Sequence, residues 1–403
     1  MKPDRLSDWT MHALLALLCF GILTLWIGDF WALGVFQLGV FFLGLVWSLA
    51  SARGYRALRL PFVLAPMAAA AAWPLLQLAV DQTIYRWDTW NSFWIWTANW
   101  TVLFLSIQIG SDPARLRRYL KTLMYFAGIL GVVAVLQTFT SGGKIFWLFP
   151  SGFDDFVLGP FVYQNQFAAF IELLLPVALF FSLVGKSNRL IAAVISAVMV
   201  ASVFASASRA GTVLVVIEIF LVPVLAIRAK IISRRHGVSA LGKIGAFAVA
   251  GALVVGYGAV WKRFLLSDPY VVRREVWTAA LHMIRDRPAM GFGLGTWQAA
   301  YPQYAVFDPG LLVNQAHSDW LQWTVEGGIP YLVLMLLVAG LLARRAMRSI
   351  WGLGVVFVLL HALVDYPFQQ RPALSALFFA VAGAVAHASR PAFREPASPN
   401  FDS

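Results

Sequence analysis

The chain is poor in charge, poorer in acid than in base, and almost without cysteine. Charged residues fill 12% of its 403 positions, about half the share of a soluble domain, while 60% are hydrophobic. This excludes an ordinary soluble globular protein. Cys19 is the only cysteine, so no disulfide staples the fold and the sequence offers little for a thiolate metal site. No internal repeat is present. The net charge of +12 is not gathered into a basic stripe or a nucleic-acid motif, which excludes nucleic acid as a partner. The run Gly291-Phe292-Gly293-Leu294-Gly295 lacks the strand–helix–strand setting of a dinucleotide fingerprint and reads as a turn.

What the chain has is apolar runs near 20 residues long, each sufficient for a hydrocarbon core of about 30 Å. Spans are expected at 11–27, 31–50, 60–80, 93–109, 120–139, 164–184, 190–205, 210–227, 241–260, 328–342, 349–364 and 373–388. Backbone polar groups in lipid need partners within their own segment, so the spans should be helices. The expected fold is therefore an all-α polytopic membrane protein of about twelve transmembrane helices, one domain over 1–390, with a disordered tail at 391–403. Residues 11–27 read as the first span and not as a cleaved leader, since no small-residue cleavage site follows.

Charge sets the orientation. Arg53, Arg56 and Arg59 share one loop; Arg115, Arg117, Arg118 and Lys121 another; Arg228, Lys230, Arg234, Arg235 and Lys243 a third; and Arg344, Arg345 and Arg348 a fourth. With the tails and Lys186/Arg189, one side holds 21 of the 31 basic residues. By the positive-inside rule that side, with both termini, is cytoplasmic. The opposite face carries one long loop, 261–327, between spans nine and ten, and a smaller one at 140–163. Loops of this length on a compact scaffold are functional or disordered. The long one holds Trp277, Trp297, Trp320 and Trp323 and is not low-complexity.

The candidate residues gather at that outer face. Arg209 lies in the short Ser206–Gly211 link, where an arginine either clamps a phosphate bidentately or snorkels from a helix end. A helix over 272–287 puts Arg273 on the face of Trp277, Ala280 and Ile284. Arg274 falls off that face, and Arg285, Asp286 and Arg287 read as a solvated helix end. A helix from His317 to about Glu326 would group His317, Trp320, Leu321 and Thr324. The histidine suits a general base or a structural hydrogen bond to a carbonyl. Ser318 and Asp319 follow it, but His317 and Asp319 alone make no metal site. His361 and Asp365 stand one helical turn apart, where a carboxylate can orient a base or an arginine or belong to an internal polar network. Gln164 and Asn165, with Tyr163 and Gln166, could bond sugars or line a polar cavity. Glu172 and Glu218 are acids inside spans.

Read together, these residues resemble the O-antigen ligase / O-antigen polymerase family of bacterial membrane glycosyltransferases. A ligase pattern runs His, then Asn/Ser/Gln, nine free positions, Gly, two free, then Gly/Thr/Tyr; His317, Ser318, Gly328 and Tyr331 fit each fixed place. Arg273-Arg274-Glu275-Val276-Trp277 with Arg287 to Gly293 is similar to the family's Arg-x-Glu-x-Trp…Pro-x-x-Gly-x-Gly run. Ser208-Arg209-Ala210-Gly211 is similar to its Ser-Arg-x-Gly turn. The pattern's leucine four after that arginine is Val213 here, with Leu214 next. The resemblance covers about 160–370. It implies transfer of a glycan from an undecaprenyl-diphosphate carrier to an acceptor hydroxyl, either a lipid A-core sugar (ligase) or another lipid-linked glycan (polymerase). A protein hydroxyl is a third acceptor in the family. It also implies a site at the periplasmic face of the inner membrane, without metal or cofactor. His317, Arg209 and Arg273 would be catalytic, and Arg274, Asn165, Gln164, Ser318, Asp319, His361 and Asp365 would contact substrate. From another class, a transporter of an anion or lipid-linked glycan also suits many helices with paired arginines. Such proteins are usually built from two related halves with a midplane site.

Overall fold

The computed structural model describes residues 5–54, 58–152, 157–184, 189–239, 242–243, 245–246, 271–306, 312–369 and 372–387. Twelve helices organise them: α1 (Arg5–Leu23), α2 (Phe30–Ala52), α3 (Leu64–Ala79), α4 (Arg86–Gly110), α5 (Pro113–Thr140), α6 (Gln164–Val184), α7 (Arg189–Ser206), α8 (Arg209–Arg228), α9 (Val271–Asp286), α10 (Asp319–Ala346), α11 (Leu353–His361) and α12 (Pro372–Ala386). The only strands among the described residues form a two-residue hairpin, Lys144–Ile145 with Phe149–Pro150. The chain is an all-α polytopic membrane protein.

Seven of the described helices (α1, α2, α5, α6, α7, α8 and α10) are long and apolar enough to cross a membrane, and shorter apolar helices lie at Leu64–Ala79, Ile350–His361 and Pro372–Ala386. Helices stand at every expected span except 241–260, which falls almost wholly outside the described residues, as does the expected tail at 391–403.

Outward-facing side chains show why the bundle suits lipid. Trp31, Val35, Leu38, Phe42, Leu45 and Leu49 on α2 are all exposed at alternating steps of four and three, a continuous apolar stripe one helix face wide. Val213, Ile217, Phe220 and Val224 repeat this on α8. Helix α6 is buried almost throughout and forms the bundle's centre, packed by α7, α8, α5 and α11, while α12 lies along α4.

The two ends of the bundle differ in chemistry. At one, Asp8 pairs with Arg115 (3.2 Å) and Arg118 (2.8 Å), Gln108 bonds the Arg59 backbone, and Lys121 stacks over Phe181. Arg59 and the Arg115–Lys121 cluster therefore share this end. At the other, α3 and the link that follows it are tied to the 290–294 turn and to Glu326. Ile84 N–H donates to Phe292 O at 3.0 Å. Gln77, fully buried in α3, donates to Met290 O (2.6 Å) and Glu326 O (2.8 Å) and accepts from Leu294 N–H (3.0 Å).

Helix α10 breaks at Gly328 (φ 79°, ψ 174°), a conformation essentially restricted to glycine. A short outer segment precedes the break and a membrane-length one follows. Pro330 sits in the first turn of the second segment, where a missing N–H costs nothing. The break brings in the 288–295 turn: Ile329 N–H donates to Pro288 O (2.8 Å) and Phe292 N–H to Val325 O (3.1 Å). A Cβ on Gly328 would lie 2.5 Å from Ala289 O, and one on Gly291 2.5 Å from Glu326 O. Two glycines spaced far apart in sequence thus allow one backbone to cross another.

Candidate active site

Asp365, in the turn after α11, collects donors from separate parts of the chain. Its Oδ2 accepts from Arg273 Nη2 (3.1 Å), Tyr163 OH (3.1 Å) and Asn165 Nδ2 (2.5 Å), and its Oδ1 from Tyr366 N–H (2.9 Å). Arg273 also donates through Nη1 to Val364 O at 2.7 Å. Asn165 Oδ1 accepts from Ser208 Oγ (2.7 Å), and Ser208 caps α8 by accepting from Gly211 N–H (3.1 Å). A Cβ on Gly211 would meet Ala168 Cβ at 2.4 Å, so glycine there lets α8 close on α6. Arg209, half-buried, is the first residue of α8, where the helix's positive end adds to its own charge. It is one peptide bond from this network; Arg273 is in it.

His317 does not begin a helix. The helix starts at Asp319, with Ser318 Oγ accepting from Leu321 N–H at its cap, and His317 precedes it at φ 53°. The expected grouping of His317 with Trp320, Leu321 and Thr324 therefore fails. The cause is local bracing: Ala316 O accepts from Trp277 Nε1 (2.9 Å), Ala316 N–H donates to Gln322 Oε1 (3.0 Å), and Asp319 N–H donates to Ala362 O (3.0 Å). Held on both sides, residue 317 takes the left-handed turn, which histidine tolerates better than most residues. Its ring stands edge-on to Tyr366, centroids 5.3 Å apart, and Tyr366 in turn stacks on Tyr163 at 5.0 Å. Burial, with Arg273 near by, pushes the imidazole below its usual 6.5 although Asp365 pulls the other way. Its Nδ1 is buried and has no hydrogen-bond partner among the described residues. A neutral imidazole with an unengaged ring nitrogen is the form a general base requires. Burial, and next the charge of Asp365, hold the Tyr163 hydroxyl far above the phenol range, so it remains a donor.

The other expected residues fall as follows. Arg274 is exposed, as the periodicity required. The buried face of α9 is centred on Val276, Ala279, Ala280 and Met283, with Ile284 at its margin. Arg287 is not simply solvated: its guanidinium lies 4.7 Å over the Phe292 ring. Gln164 is half-buried at the start of α6. Asp319 is fully buried and accepts from Phe368 N–H (3.1 Å), bracing the 362–368 turn. His361 does not pair with Asp365. It is fully buried and bonds Glu172 through Nδ1 (2.9 Å) beneath the site; that Asp365 turns to Arg273 follows from the helix ending at His361. Glu218 is fully buried, its two oxygens without hydrogen-bond partners among the described residues.

Sequence reasoning missed Tyr366, the ring between Tyr163 and His317, and Glu326. The latter is buried and accepts from Gly295 N–H (2.9 Å), Trp297 N–H (3.0 Å) and Gln322 Nε2 (3.0 Å). An acid and a glutamine (Gln77) inside otherwise apolar helices were the available signals. Among the described residues, no three His, Cys, Asp or Glu side chains gather as a metal site.

Fold and site together define a polytopic membrane protein in which Arg273 and the His317 imidazole meet around Asp365 and Tyr366 at one end of the helix bundle. Residues 194–336 match the family model described as O-antigen ligase. The matched segment is of that family, whose members are glycosyltransferase-like membrane enzymes; it contains Arg209, Arg273 and His317. No curated protein matches the chain.

Proposed function

We propose that this chain is an O-antigen ligase-like glycosyltransferase of the bacterial inner membrane. Both termini and the basic end would lie in the cytoplasm, and the Asp365 end would face the periplasm. Its donor would be a glycan on undecaprenyl diphosphate and its acceptor a hydroxyl of a lipid A-core sugar. His317 takes the acceptor's hydroxyl proton, the oxygen bonds to the anomeric carbon, and the carbon–oxygen bond to the diphosphate breaks. The electron pair leaves with the diphosphate, still on its lipid. Arg209 and Arg273 stabilise the negative charge that gathers there, an effect that is large where water is scarce. Asp365 orients Arg273.

The observation that carries the proposal is the convergence on Asp365 and Tyr366: Arg273 bonds the carboxylate, His317 packs on the tyrosine ring, and Ser208, next to Arg209, reaches the carboxylate through Asn165. Against a transporter stands the gathering of these groups at one end of the bundle. His317→Ala or Arg209→Ala should abolish transfer while the protein remains folded in the membrane; full activity in either variant removes the assignment. Deleting the gene separates the acceptors. Loss of capped lipopolysaccharide with long carrier-linked chains retained marks a ligase, and loss of chain length marks a polymerase.

A further inference from the structure

A cavity of about 420 Å³ opens beside the 295–322 segment, between the α1–α2 link, the first half of α4 and the start of α12. It lies within the ~300–1,000 Å³ range of small-molecule sites. Neither Arg209, Arg273 nor His317 lines it. Its chemistry is the reverse of theirs: Asp29 and Asp88 stand on its wall, and no lysine, arginine or histidine does among the described residues. Glu326 also borders it, but its oxygens are engaged by Gly295, Trp297 and Gln322 and burial pushes its carboxyl up to about 7. Such a lining repels a diphosphate. It offers acceptors to hydroxyl donors, since carboxylate and amide oxygens accept. Trp96 and Trp297, both buried, border the same space. Gln315 is also on the wall; it is 6% exposed, and its Oε1 has no hydrogen-bond partner among the described residues.

We infer that this cavity is a glycan-binding site that holds an uncharged sugar chain, the acceptor, apart from the cationic site that holds the diphosphate. The inference rests on the glycosyltransferase reading. Gln315 faces the cavity two residues before His317, so a sugar seated there lies beside the same strand of backbone that carries the base. Carboxylates on one side and guanidinium groups on the other sort the two substrates by charge.

The test is calorimetric binding to the full chain in lipid nanodiscs. The probes are a phosphate-free oligosaccharide fraction released from the host's own surface glycolipid, and farnesyl diphosphate. Gln298→Trp and Asn314→Trp fill the rim from exposed positions, and Asp88→Asn removes a wall charge without adding bulk. Each should weaken the oligosaccharide about tenfold or more and change farnesyl diphosphate less than about twofold; Arg273→Ala should do the reverse. The inference is overturned if the wild-type chain binds no oligosaccharide, if the three cavity variants bind it normally, or if its affinity follows Arg273. Calorimetry involves no turnover, so these outcomes are independent of whether His317→Ala retains transfer, which tests the enzyme reading itself.

Discussion

Replacing Gly328 by alanine should unfold the joint on which the candidate site is built. At φ 79° and ψ 174° an alanine is strained by about 1–3 kcal/mol. Its Cβ would also lie 2.5 Å from Ala289 O and 2.6 Å from Ala289 C. Both are backbone atoms, so the 288–295 turn must shift, and such overpacking costs about 1–3 kcal/mol more. The sum, roughly 2–6 kcal/mol, is a large part of the ~5–15 kcal/mol that holds a typical protein folded. Gly340 is the internal control. It lies in the membrane-length part of the same helix, with nothing within 4 Å of its added Cβ, so Gly340→Ala should be neutral or stabilise by up to ~1 kcal/mol. Thermal unfolding in detergent, followed by the fraction surviving gel filtration, measures both. If Gly328→Ala melts with Gly340→Ala, the crossing of the two glycines is not what shapes this end of the protein.

Three further outcomes are expected. Arg273→Ala removes one partner of an ion pair whose side chains are 20% and 2% exposed and should cost about 3 kcal/mol, against less than ~1 kcal/mol for exposed Arg274→Ala; equal melting losses would contradict the buried pairing. His317 titrates below 6.5 in the folded state, so its neutral form prevails at pH 7 and any acid limb of kcat/KM belongs below pH 6.5. Folding favours that neutral form, so the matching stability is full above 6.5 and is lost as pH falls below it. Asp365→Asn deletes the influence that raises this group and should move the limb to still lower pH; movement upward refutes the assignment. Glu172→Leu strands His361 in a fully buried setting and should cost about 3–5 kcal/mol, whereas Glu172→Leu with His361→Leu should recover most of the loss. A double variant as unstable as the sum of its singles would show that the pair does not act as a unit.

The spans were legible because lipid imposes a length and a composition that a helix must meet in its own residues. α6 begins and ends where the apolar run does, at 164 and 184. Arg273 was legible through helical periodicity, since its distance from Val276 and Ala280 puts it at the edge of the packed face of α9. The turn at His317 was not legible. Nothing in Ala316-His317-Ser318 fixes a left-handed residue; the bracing by Trp277, Gln322 and Ala362 does, and those contacts span up to 44 positions. The partner of His361 was not legible for the same reason. Asp365, four residues on, bonds Arg273, one of the options its position left open, while the partner of His361 is Glu172, 189 positions away.

The hub at Asp365 has a consequence for how the protein is made. Its partner Asn165 precedes it by 200 positions, an interval that a ribosome working at ~5–20 residues per second covers in roughly 10–40 s. Arg273 is made within that interval, 92 positions before the carboxylate, and waits without its partner until Asp365 follows. A chain interrupted before its last two helices would occupy the membrane without the Asp365 hub, so this end of the bundle is completed only when synthesis is nearly done.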